Sequence, residues 1–209
     1  MKLYYAPGAC SLSPHIVSRE LGIPLELKKV NTKDKTVEGG GDYWQVNPRG
    51  YVPALVLDNG ETLTEGPAIV QYLADQKPEA GLAPKNGSIE RYRLQEWLNF
   101  ITSEIHKSFS PLFKPNTPED YKPIAKENIA KRFDLIDKQL AGKDYLTGKQ
   151  FTVADAYLFV LSNWTKPTQI DLAKWPNLQA FNKRVAARPK VKEALQAEGL
   201  LPKEAQRAA

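Results

Sequence analysis

Residues 77–87 read KPEAGLAPKNG, and the chain follows different patterns on the two sides of this stretch. On the N-terminal side, short apolar runs alternate with helical patterns. KLYY (2–5) predicts a strand, and 11–21 a helix with Pro14 near its start and Gly22 as its stop. LELKKV (25–30) predicts a second strand. VPALVL (52–57) and ETLT (61–64), joined through Asn59-Gly60, predict a hairpin, and 65–76 a further helix. The two opening strands are then parallel, connected by a right-handed crossover. This order is that of a thioredoxin-like α/β domain.

On the C-terminal side the strand signals stop. Leu94, Trp97, Leu98, Ile101 and Ile105 recur at spacings of three and four, predicting one long amphipathic helix over 88–109. Further helices are predicted over 123–140, 151–164, 177–188 and 190–198. The segment 151–164 is apolar on all sides and belongs in a core. Thr152 and Asp155 have the spacing of a capping box at its start. The fold class is therefore α/β plus all-α: a thioredoxin-like domain over 1–80, a linker over about 77–87, and a helical domain over 88–209.

Of the 209 residues, 42% are hydrophobic and 25% charged, as in soluble globular proteins. The chain has no apolar run of membrane-spanning length and no secretory pattern at its start, so a cytoplasmic location with no membrane partner is expected. One cysteine excludes an intramolecular disulfide, and with two histidines it argues against a metal site. The net charge of +5 comes from the C-terminal part, because residues 1–80 hold eight basic and ten acidic side chains. Those C-terminal cations are interleaved with acids, as on solvated helix faces, so nucleic acid is not an expected partner.

The single cysteine, Cys10, falls between the first strand and the first helix, in APGACSLSPH (6–15). A helix start offers unpaired N–H groups and partial positive charge, which favour a thiolate. The position therefore suits a reactive thiol, or a place to hold another molecule's thiolate, and also a small buried core residue. On the helix-start reading, the thiol titrates below the free value of about 8.5. Tyr5 and Ser11 flank it with hydroxyls. His15 lies five residues further along, on another helical face, and reads as structural.

The segments MKLYY, PGACSLSPHI, NPRGYVPAL, LTEGPAIVQYLAD, WLNFITSEIHKSFSPLF, FTVADAYLF and ARPKV, in this order, resemble the bacterial beta-class glutathione S-transferases. The resemblance implies a homodimer that uses glutathione as co-substrate, without a metal, and conjugates it to a hydrophobic electrophile. It assigns catalysis to Cys10 and His106, with His106 near the cysteine and able to accept a thiol proton. Glutathione would be bound by Tyr5, Cys10, Ser11, Lys35, Val52, Glu65, Gly66, Asn99, Ser103, Glu104, Ile105, His106 and Lys107. Within that set, Glu65 takes the γ-glutamyl ammonium. A cis Val52-Pro53 peptide offers its backbone to the cysteinyl unit, and Lys35 meets the glycyl carboxylate. The stretch with Asn99 and Ser103, and Glu104 close by, reaches the glutathione of the neighbouring subunit. Gly66 departs from the pattern, since many relatives have Ser there and gain a hydroxyl contact. The alternatives are a glutathione-dependent thiol oxidoreductase or reductive dehalogenase acting through a mixed disulfide on Cys10, and a non-catalytic glutathione-binding protein.

Overall fold

The computed structural model describes residues 1–201. The elements run β1 (Lys2–Tyr5), α1 (Leu12–Leu21), β2 (Glu26–Asn31), β3 (Thr36–Val37), β4 (Ala54–Val56), β5 (Thr62–Thr64) and α2 (Gly66–Asp75). They continue through α3 (Ile89–Phe100), a π-helical turn over Ile101–His106, α4 (Lys107–Phe113), α5 (Tyr121–Leu140), α6 (Val153–Asn163), α7 (Pro176–Ala186) and α8 (Pro189–Ala197). Contacts divide the chain into two compact units. One comprises Met1–Ala80 with the segment that begins at Ala187, and the other Gly81–Ala186.

In the first unit the strands form one sheet of order β3-β2-β1-β4-β5. β1 pairs in parallel with β2, in register Leu3↔Leu27, across the α1 crossover. β4 and β5 form the expected antiparallel hairpin, with Val56↔Thr62 next to the turn. Leu3, Leu55, Ile16, Val17, Ile69 and Leu73 are fully buried and pack α1 and α2 on one sheet face. Tyr4 on the other face packs with Val30, Tyr43 and Ala54. α1 stops at Gly22, whose left-handed backbone (φ +62°) lets its N–H close on the Arg19 carbonyl. The two-residue strand β3 escaped the sequence reading, because so short an element has no periodicity to detect.

The unit boundary differs from the expected 88–209 helical domain, since α8 packs on α1 instead. The reason is electrostatic as well as apolar. Arg188 donates from Nε and a terminal nitrogen to the two Glu20 carboxylate oxygens, at 2.8 Å each. Glu198, just past α8, is buried against His15 Nδ1 at 2.8 Å and accepts the Gly8 N–H at 3.0 Å. A buried carboxylate needs such partners, and here they all lie in the first unit.

In the second unit α6 is buried along its length from Val153 to Ser162, as its apolar pattern predicts. The capping box forms, with Thr152 N–H and Oγ1–H donating to Asp155 Oδ2 at 2.8 and 2.7 Å. The other Asp155 oxygen accepts from Leu146 N–H at 2.9 Å, which ties the preceding loop to the helix. The long helix expected over 88–109 is interrupted by the π-turn. Around it, Thr102, Ser103 and Ser108 hydroxyls donate to the carbonyls four residues back, of Leu98, Asn99 and Glu104. Such back-bonding competes with the regular ladder, and π-turns concentrate at functional positions. Among the described residues no helix is long and apolar enough to cross a membrane, and no cluster of His, Cys, Asp and Glu could hold a metal ion.

Candidate active site

Cys10 stands in the turn between β1 and α1. Leu12 and Ser13 N–H groups donate to the carbonyls of Ala9 and Cys10, so the chain coils tightly into the helix. Ser11 is fully buried, and its hydroxyl both accepts from Ala6 N–H (3.1 Å) and donates to Ala6 O (3.2 Å). It therefore holds the turn closed and faces Ala6. Tyr5 is buried at the strand end, where burial and the Glu198 charge raise its phenol above the ordinary value.

The Cys10 thiol donates to the Val52 carbonyl at 3.3 Å. Burial pushes it up to about 12; the N–H groups of Cys10 and Ser11 pull it back only in part, and the Glu65 charge raises it further. This overturns the expectation of a thiol below 8.5. The helix start does supply N–H groups, but loss of water outweighs them. In the free protein Cys10 is a neutral hydrogen-bond donor.

Val52 is held by an irregular loop whose backbone is paid for by side chains. Buried Tyr43 donates its hydroxyl to Tyr51 O, as does the Asn47 amide, both at 2.7 Å. Asn47 also accepts the Arg49 N–H at 3.1 Å. Gly50 lies at φ +66° under the Trp44 ring, and a Cβ there would come within 2.7 Å of two ring carbons. Only glycine fits both the backbone and the space. The Val52–Pro53 peptide is cis.

Beyond Pro53, Glu65 opens α2 with φ +71°, a conformation that costs a non-glycine residue roughly 1–3 kcal/mol and collects at functional positions. Its carboxylate is 63% exposed and accepts from an Arg49 terminal nitrogen at 3.1 Å, which also donates to Thr64 Oγ1 at 3.2 Å. A Cβ on Gly66 would lie 4.0 Å from Pro53 Cγ, in ordinary contact. Lys35, also left-handed at φ +57°, donates from Nζ to Gly50 O at 2.8 Å and sits over the Trp44 ring. Within one unit, Cys10 thus lies in the β1–α1 turn, Val52 just before β4, Glu65 and Gly66 at the start of α2, and Lys35 in the β2–β3 turn, from which it reaches Gly50.

The remaining expected residues lie in the second unit. Asn99, Ser103 and Lys107 are exposed and four residues apart. Glu104 receives Arg132 through two nitrogens, at 2.9 and 3.2 Å, and Ile105 is fully buried in the core. His106, half-buried, ends the π-turn with Nδ1 2.6 Å from the Tyr157 hydroxyl. Its ring meets Trp164 edge-on, with centroids 4.9 Å apart. Burial, assisted by the Lys107 charge, lowers it to about 4, so the imidazole is neutral at physiological pH. Sequence reasoning passed over Tyr157, Arg49 and Glu198. Tyr157 had a signal, a hydroxyl on an otherwise apolar helix; Glu198 had none, since its partners are 183 and 190 residues away.

Comparison with known proteins decides the family. The glutathione S-transferase N-terminal domain matches residues 8–76, and the C-terminal domain residues 100–189. The chain belongs to the bacterial beta-class glutathione S-transferases. It is 48% identical to glutathione S-transferase GstA of Escherichia coli O157:H7 over 200 residues, covering 96% of this chain and all of that one. The beta-class transferase of Sphingomonas chungbukensis superposes with a TM-score of 0.94 at 50% identity, over 96% of this chain and all of the other. A sphingomonad transferase solved in complex with glutathione gives 0.93 at 50% identity, with the same coverage. This transferase accordingly has the thioredoxin-like and helical parts expected from its sequence.

Proposed function

We propose that this transferase binds glutathione along the Cys10–Val52–Glu65 edge of its first unit and conjugates it to a hydrophobic electrophile. The observation that carries the reading is the Cys10 thiol hydrogen-bonded to the Val52 carbonyl, with Glu65 close enough to perturb it. The glutathione complex of the sphingomonad relative supports it. Glu65 takes the γ-glutamyl ammonium in exchange for Arg49, and the first N–H groups of α2 take the adjacent carboxylate. Val52 pairs with the cysteinyl backbone as an added strand would. Lys35 takes the glycyl carboxylate. Tyr5, Ser11 and Gly66 shape the turn and the helix start around the ligand.

The glutathione thiol loses its proton to solvent, and Cys10 S–H turns from the Val52 carbonyl to donate to the resulting thiolate. The thiolate sulfur bonds to the electrophilic carbon as a leaving group such as chloride departs with its electron pair. His106 is the second catalytic residue. The protein works as a cytoplasmic homodimer in which Asn99 and Ser103, with Glu104 close by, complete the neighbouring subunit's glutathione site.

A thiol held near 12 is a poor nucleophile at neutral pH, which favours conjugation over exchange through a mixed disulfide. The test measures wild type and Cys10→Ala with a chloronitrobenzene acceptor and with a mixed disulfide of glutathione. Conjugation is expected to survive Cys10→Ala at a rate lowered roughly 10- to 100-fold, the worth of one hydrogen bond to a charged group. Complete loss of conjugation in a folded Cys10→Ala would make the cysteine a nucleophile instead. Failure of the wild type to bind glutathione at millimolar concentration would remove the reading altogether.

A further inference from the structure

Tyr157 lies in α6, a helix otherwise committed to the core, and its hydroxyl is directed at His106 Nδ1. The separation of 2.6 Å is below the usual range for an N–H donor and within that for a hydroxyl donor. A phenol O–H is also a stronger donor than an imidazole N–H, and an imidazole nitrogen a stronger acceptor than a phenol oxygen. Both considerations send the proton from oxygen toward Nδ1. The ring cannot turn away easily. Tyr157 and Trp164 both meet it edge-on, with interplanar angles of 78° and 71°.

We propose that Tyr157 is a positioning residue that fixes His106 in the tautomer protonated at Nε2, so that His106 offers the reaction a hydrogen-bond donor and not a base. An imidazole that accepts at Nδ1 and carries one proton must carry it at Nε2. That N–H suits negative charge held on sulfur during conjugation, and it leaves no free lone pair on the ring to take a thiol proton. His106 is neutral at physiological pH, which fits a one-proton ring. The role in catalysis rests on the conjugation reading; the tautomer does not.

Two measurements test it. The chain has only two histidines, so a long-range nitrogen–proton NMR spectrum of the full protein at neutral pH resolves both rings. His106 is expected to show Nδ1 as the unprotonated nitrogen and Nε2 as the protonated one, and Tyr157→Phe to convert it to a mixture of tautomers. Unprotonated Nε2 in the wild type would overturn the proposal before any variant is made. In the second, kcat and KM are measured for His106→Gln, whose amide N–H can fall near Nε2, and for His106→Asn, whose amide falls near Nδ1. The Gln variant is expected to keep kcat within roughly tenfold, and the Asn variant to lose about 100-fold, the usual cost of a lost donor to a developing charge. An Asn variant as active as the Gln variant would refute the donor role. If the NMR result holds but the wild type conjugates nothing, the conjugation reading fails and the tautomer assignment stands.

Discussion

Cys10 follows β1 in the first unit and His106 ends the π-turn in the second, and burial drives their ionisation in opposite directions. The thiol moves up to about 12 and the imidazole down to about 4. The outcome is the same: near pH 7 each group is neutral and can offer a proton in a hydrogen bond. Arg49 and Glu65, by contrast, keep their side chains largely toward water, while Lys35 is half-buried with Nζ on Gly50 O. The contrast separates two jobs. On the proposed reading, exposed charged groups hold the ligand and desolvated neutral groups serve the reaction. A cysteine–histidine ion pair, the first idea such residues suggest, does not fit either environment.

The two sites also differ in what supports them. The Cys10 turn depends on Glu198 through Gly8 and His15, whereas His106 depends on neighbours in its own bundle. Glu198→Ala removes the buried carboxylate that meets His15 Nδ1 and the Gly8 N–H, and is expected to cost roughly 3 kcal/mol, the upper end of the usual worth of hydrogen bonds to a charged group. Urea unfolding measures it. Cys10 should alkylate several-fold faster in the same variant, because the turn opens. Unchanged alkylation in a destabilised protein would show that the turn stands without Glu198.

His106 should make stability depend on pH. The folded ring takes a proton only near pH 4, while an unfolded histidine does so near 6.5. Between these values the unfolded state binds more protons, so stability rises with pH. The contribution is complete above about 6.5 and is lost as pH falls toward 4. It amounts to about 2 kcal/mol, less than the full shift implies because the ring is partly exposed to screening water. Comparing unfolding at pH 4.5 and 7.5 in wild type and His106→Gln isolates it. Equal losses in the two proteins would mean that the histidine is not desolvated, and the parallel with Cys10 would end there.

The smallest effect belongs to Gly66. A Ser side chain has room beside Pro53, and replacing a glycine whose backbone other residues can adopt gains roughly 0.5 kcal/mol through the unfolded state. Gly66→Ser should therefore raise the melting temperature slightly and tighten glutathione binding a few-fold through its hydroxyl. Calorimetry showing weaker binding would place the γ-glutamyl carboxylate elsewhere.

Strand and helix order, the hairpin at Asn59-Gly60, the capping box at Thr152 and the buried α6 were all legible, because each is written in local spacing. The family could be read from separate motifs in order. The state of the two reactive groups could not. Spacing put Cys10 at a helix start, but it could not weigh those N–H groups against the loss of water around sulfur. Nor could it bring Tyr157 to His106, 51 residues away, or send α8 to the sheet-bearing unit. The π-turn was missed for a related reason, since its apolar positions keep helical spacing while only the hydrogen bonds change.

The link from Gly8 and His15 to Glu198 also has a meaning in time. A ribosome adds roughly 5–20 residues each second, so the 183 positions separating His15 from Glu198 take about 10–40 s to synthesise. Until then the turn that carries Cys10 lacks its last support, however long the sheet behind it has been outside the exit tunnel. The segment that looks most like a first domain to emerge is thus among the last parts of the chain to be completed.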